Sequence, residues 1–77
     1  MGTYNGHKNW AHWNVALWLN NDEGLYLMAR DALASFRNKS EAANYLIEVL
    51  RDCGFTKTPD GARYSFASVR AALASFE

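Results

Sequence analysis

The chain has almost no cysteine, no surplus charge of either sign and no long apolar run. Cys53 is its single cysteine, which excludes an internal disulfide and a cysteine-based zinc cage. Eight Lys and Arg stand against eight Asp and Glu, a formal charge of zero. That balance argues against a general basic nucleic-acid binder and equally against an acidic mimic of the DNA backbone. No apolar stretch approaches the roughly 20 residues of a membrane span, so no membrane association is expected. The opening Met1-Gly2-Thr3-Tyr4-Asn5 lacks a basic segment followed by a continuous apolar one, and no secretory signal is expected.

What remains is a globular composition, 49% apolar and 21% charged over 77 residues, enough for one domain and not for two. A domain of this size buries only about 60% of the surface its unfolded chain exposes. Without disulfide or metal staples, it needs a dense aromatic core or a partner. Eleven aromatic residues, three of them Trp, suit either route. A deep catalytic cleft would remove core that this volume can barely spare, so an enzyme is not expected.

Residues 1–9 are polar and rich in turn formers and read as an irregular arm. The segment from Asn9 to Asn20 admits two readings. As a helix it has Asn9 as N-cap and Trp10, Trp13 and Leu17 on one face; as a strand, Trp13, Val15, Leu17 and Leu19 alternate with their neighbours. The helix is preferred because the flanking segments are helical and no second strong strand offers pairing, although such a helix is apolar nearly all round. After the Asn20–Gly24 break, Leu25, Met28, Ala29, Ala32, Leu33 and Phe36 mark an amphipathic helix ending near Arg37-Asn38. A third helix follows Ser40, with Ala43, Leu46, Ile47, Leu50 and Cys53 on its apolar face. Gly54 stands at the left-handed position of a Schellman ending, with Phe55 as its hydrophobic contact. Thr58-Pro59-Asp60-Gly61 is a tight turn around which residues 56–64 can form a short, marginal hairpin. A last helix starts near Ser65 or Ser68, with Phe66, Val69, Ala72, Leu73 and Phe76 facing inward. The segments Arg30–Phe36 and Arg70–Phe76 match at six of seven positions, as two helices meeting one packing demand would. The expected fold is therefore mostly α: a small single-domain helical bundle of three to four helices over residues 1–77, with a short β-hairpin available near 56–64.

Chemical motifs are few. His7 and His12 are five apart rather than the four that places two ligands on one helical face, and no third strong ligand is near, so no metal is expected. Cys53 lies at the wrong end of a helix for a reactive thiolate and reads as core. No nucleophile elbow and no phosphate-cradling glycine loop occur, and no cofactor is implied. The aromatic segment is the informative one: Tyr4, Asn5, His7, Lys8, Trp10, Asn14 and Trp18 combine large rigid side chains with a nearly uncharged rim, the composition of a protein-contact hot spot. Trp13, Leu17, Leu33, Leu46, Leu50 and Phe76 are expected in the core. The same aromatics and asparagines could instead stack on and read unpaired bases, although one Lys and two His make a poor electrostatic footprint.

The stretch Tyr4-Asn5-Gly6-His7-Lys8-Asn9-Trp10, continuing through Trp13-Asn14-Val15 and Leu17-Trp18 to Asn21-Asp22-Glu23-Gly24-Leu25-Tyr26, resembles a group of small phage- and prophage-encoded proteins without an established biochemical role. Their shared pattern is approximately Y-N-G-x-x-N-(W/Y)-x-x-W-N-V-x-L-W-x-x-N-(D/E)-E-G-L-Y. Thr58-Pro59-Asp60-Gly61 and Val69-Arg70-Ala71-Ala72-Leu73 also resemble segments of that group. The resemblance implies a mobile-element origin and action in the bacterial cytoplasm. The expected function is a non-enzymatic phage accessory protein that binds and inhibits a host defence complex, such as a CRISPR effector, through an aromatic uncharged surface. The rival is a phage nucleic-acid-binding accessory protein using the Trp/Tyr/Asn segment for base stacking. A third possibility is a homodimer whose interface is that same segment.

Overall fold

The computed structural model describes residues 9–76. Among them, four helices follow one another: α1 (Trp10–Asn21), α2 (Glu23–Ser35), α3 (Lys39–Asp52) and α4 (Phe66–Ala74). The ambiguous aromatic segment is thus helical. Asn9 caps it as expected, its side-chain oxygen accepting from the His12 amide at 3.0 Å. One residue separates α1 from α2. Asp22 leaves helical geometry (φ −91°, ψ 122°), donates its backbone N–H to the Trp18 carbonyl to close α1, and accepts from the Leu25 amide to open α2. A single aspartate thereby ends one helix and starts the next.

Two boundaries depart from the sequence reading. Helix α2 stops at Ser35, and Asn38, read as its end, is the N-cap of α3, accepting from the Glu41 amide at 2.8 Å. Asn and Ser are both good caps, and the chain uses the earlier one. Ser40, inside α3, instead accepts a hydrogen bond from Arg70 Nε at 2.8 Å. The end of α3 is the expected Schellman motif: Phe55 N–H donates to the Leu50 carbonyl at 2.8 Å and Gly54 N–H to that of Arg51 at 2.9 Å, with Gly54 at φ 84°. At the start of α4, Ser65 and Ser68 form a capping box.

The helices close a ring in which α1 packs on α2 and α4, and α3 packs on α2 and α4. Small residues permit the close approach. Ala29, Ala32, Ala42, Ala43 and Ala72 are fully buried among Val15, Leu19, Leu46, Leu50 and Val69. The matching segments do meet similar demands. Ala32 and Ala72 are both buried, while Phe36 and Phe76 are half-buried and each lies on a tyrosine, Phe36 on Tyr45 at 5.1 Å and Phe76 on Tyr26 at 5.0 Å between ring centroids.

Several expected core positions move outward. Trp13 and Leu17 are half-buried, Leu33 and Phe76 are half-buried but pack against the core as expected, and Leu46 and Leu50 are fully enclosed. Cys53 is exposed: it is the C-cap of α3, where the chain turns away and the helical stripe no longer extends. Phe66 is 43% exposed, because a side chain at the first helical position leans toward the N-terminus, past the end of the packed stripe.

Candidate functional site

The connection between α3 and α4 folds back as the expected hairpin. Gly61 N–H donates to the Thr58 carbonyl at 2.9 Å, and Thr58 N–H to that of Ala62 at 2.7 Å. Gly61 has φ 98°, which suits a three-residue hairpin loop whose last residue is left-handed. One antiparallel bridge, Lys57 with Arg63, follows the turn. A ribbon this short is not stable alone, and side chains of α1 hold it in place.

Asn14 projects from the middle of α1 and is 1% exposed. Its amide donates to Asp60 Oδ2 at 2.9 Å and its carbonyl oxygen accepts from the Thr58 hydroxyl at 2.5 Å. Thr58, also buried, completes the chain by accepting from the Ala62 amide at 3.0 Å. One turn further along α1, the Trp18 indole N–H donates to the same Asp60 oxygen at 3.0 Å. These bonds hold the Asp60 carboxyl below the usual carboxylate range, the Asn14 bond contributing most, then the Trp18 bond, against a small opposing effect of desolvation. No buried side-chain nitrogen or oxygen among the described residues lacks a partner.

This clamp sets the wall of a half-open apolar cleft of about 420 Å³. Trp18, Leu25 and Met28 line it from the α1–α2 corner, and Phe55, Pro59 and Tyr64 from the hairpin. Phe55 stands 49% exposed at its edge. Tyr64 lies deeper, and burial, followed by the nearby Asp22 carboxylate, raises its phenol so that it stays neutral.

The sequence-predicted contact residues therefore divide. Tyr4, Asn5, His7 and Lys8 lie outside the described residues. Trp10 is 38% exposed at the head of α1, and Trp18 lines the cleft with its ring. Asn14 is corrected from a surface contact to a buried strut, because both ends of its amide are committed to the hairpin. It consequently offers no edge for reading a base. Phe55, Met28 and Pro59 were missed, since Met28 lies on α2 and the other two on the connection between α3 and α4, and only the docked hairpin unites them. Among the described residues there is no group of three or more His, Cys, Asp and Glu able to hold a metal ion, and no helix long and apolar enough to cross a membrane.

The clamp joins Asn14 and Trp18 of the N-terminal pattern to Thr58 and Asp60 of the later Thr-Pro-Asp-Gly segment, so two stretches that carry the resemblance meet in space. No characterised protein and no solved structure matches the chain. A family of unknown function, DUF7249, matches residues 1–74, and the chain belongs to that family.

Proposed function

We propose that this chain is a non-enzymatic protein-binding module of phage or prophage origin that acts in the bacterial cytoplasm by occupying a surface of a host defence complex, in the manner of an anti-CRISPR. The observation that carries the binding reading is the apolar cleft beside the hairpin. Its aromatic and thioether walls leave about 420 Å³ between them, the Trp18 side is tied through its indole N–H to Asp60, and Phe55 is half exposed. Such a cleft accepts a bulky apolar side chain of a partner, the arrangement from which contact energy is chiefly drawn. Trp10, exposed at the head of α1, and Tyr4, Asn5, His7 and Lys8 are assigned to the contact by the sequence. The phage origin and the defence target rest on the resemblance alone. The zero net charge favours a protein surface over imitation of DNA.

The test is capture of partners by the tagged chain from nuclease-treated lysate of a host carrying the defence system, compared with Phe55→Ser. A stoichiometric defence-complex subunit should be retained by the natural chain. The variant should bind it on the order of 30-fold more weakly, as truncation of a hot-spot residue does. Its thermal unfolding should change little, since the ring is half exposed. Retention of no protein, or equal retention by both chains, overturns the reading.

A further inference from the structure

Cations that are scattered along the sequence converge on a second groove, of about 340 Å³. Arg51 reaches it from the last turn of α3, and Lys57 and Arg63 from the two arms of the hairpin, with Phe55, Thr56 and Ser65 beside them. Glu48 and Asp52, the carboxylates of α3 nearest to Arg51 in sequence, do not line it. None of the three cationic side chains makes an ion pair or hydrogen bond with another described residue.

The pairing of Lys57 with Arg63 is the pointed observation. The hydrogen bonds Thr58 N–H to Ala62 and Tyr64 N–H to Thr56 flank the bridge, so Lys57 and Arg63 form a non-hydrogen-bonded antiparallel pair, the kind that sets side chains closest, with Cα atoms about 4.5 Å apart. Like charges directly opposite one another destabilise a ribbon, and a ribbon with a single bridge has little stability to spare. An anion seated between the two side chains removes the repulsion. The aromatic ring at the rim narrows the class of anion, because a groove combining unpaired cations with an accessible aromatic face is how single strands are held: phosphates on the cations, a base on the ring.

We propose that this groove binds single-stranded nucleic acid, with Arg51, Lys57 and Arg63 on backbone phosphates and one base stacked on Phe55. The site differs from the Trp/Asn segment that the sequence suggested for this role; it adjoins the protein contact and shares Phe55, Lys57 and Tyr64 with the apolar cleft, whereas Arg51 and Arg63 line this groove alone. A neutral chain can hold it because three cations suffice locally.

Fluorescence anisotropy of a labelled oligothymidylate of about 12 nucleotides, within the site sizes of small single-strand binders, tests the proposal on the full chain. Saturable binding is expected, with log affinity falling against log salt at a slope of about −2 for three phosphate contacts. Arg63→Thr and Arg51→Thr should each weaken binding and flatten the slope to about −1.4, and Phe55→Ala should weaken it about tenfold with the slope unchanged. Lys57→Thr and Arg63→Thr should also raise the thermal midpoint of the free chain, because each removes the like-charge pair. Absence of saturable binding at about 50 mM salt overturns the proposal. So does binding indifferent to the three cations, or displacement by short polyglutamate as readily as by unlabelled oligothymidylate. The arginine variants leave the apolar cleft intact, so loss of oligonucleotide binding with partner capture retained separates this site from the protein contact.

Discussion

Between α2, α3 and α4 the buried contacts run through Ala29, Ala32, Ala42, Ala43, Leu46, Leu50, Val69 and Ala72, all of them fully buried and apolar, beside one exposed hydrogen bond from Arg70 to Ser40. Between α1 and the hairpin they are made by one amide, one hydroxyl, one indole N–H and one carboxylate. The first set is non-directional and tolerates small shifts; the second fixes a position, because hydrogen bonds weaken steeply with misalignment. The molecule thus uses apolar packing to hold its helices together and a polar clamp to place its hairpin. Both grooves depend on the hairpin, so the clamp decides the geometry available to ligands while adding little to the core.

The comparison predicts two different failures. Leu46→Ala opens a cavity at the centre of the bundle and should cost about 2–5 kcal/mol. That is a large share of the roughly 4–12 kcal/mol available to a domain of this length. Unfolding should remain cooperative, with helical circular dichroism and hairpin signals lost together. A Leu46→Ala chain that lost the hairpin before the helices would show that the core, and not the clamp, places the ribbon.

Asn14→Ala is the complementary lesion. It takes the acceptor from the Thr58 hydroxyl and one of the two donors from Asp60, and should cost about 1–3 kcal/mol, lowering the midpoint by several degrees. Its signature is local: helical content is retained, while the Ala62 and Tyr64 amides, which donate to the Thr58 hydroxyl and the Thr56 carbonyl, exchange faster relative to those of α3. Uniform acceleration of exchange across helices and hairpin would break the distinction between the two regions.

The division between packing and clamp also explains what the sequence discloses. Helix α3, its Schellman ending at Gly54, the Asn9 cap and the turn at Gly61 are set by neighbours within a few residues, and periodicity and turn chemistry read them directly. Asn14 is different. Its partners lie 44 and 46 positions away, and nothing in the local pattern separates a polar residue that faces solvent from one that reaches a distant turn. An asparagine amid Trp13, Val15, Ala16 and Leu17 therefore reads as part of a contact surface. The only available signal was that a polar residue interrupts a helix apolar nearly all round, where burial demands a partner. The same blindness hid the cationic groove, since Arg51, Lys57 and Arg63 are separated in the chain by acids that the fold leaves elsewhere. Cys53 and Phe66 failed for another reason: a helical stripe was extended past the residues that α3 and α4 actually bury.

The smallest effect is the most specific to the clamp. Asp60 has its pKa lowered in the folded chain, chiefly by the Asn14 amide and then by the Trp18 indole. A carboxyl depressed by folding contributes stability that is complete above its ordinary value of 3.8 and is lost as pH falls through the lowered one. Acidification into that window should therefore lower the thermal midpoint and shift the Trp18 indole N–H resonance as its acceptor protonates. In Asp60→Asn the amide oxygen can take the place of Oδ2 without titrating. That variant should start below the natural chain at neutral pH, because a charge-assisted bond has become a neutral one. It should then show a flatter acid limb and an indole resonance that does not move through the window. Parallel acid limbs in the two chains would mean that the carboxylate does not hold the hairpin, and that the polar clamp is a consequence of docking rather than its cause.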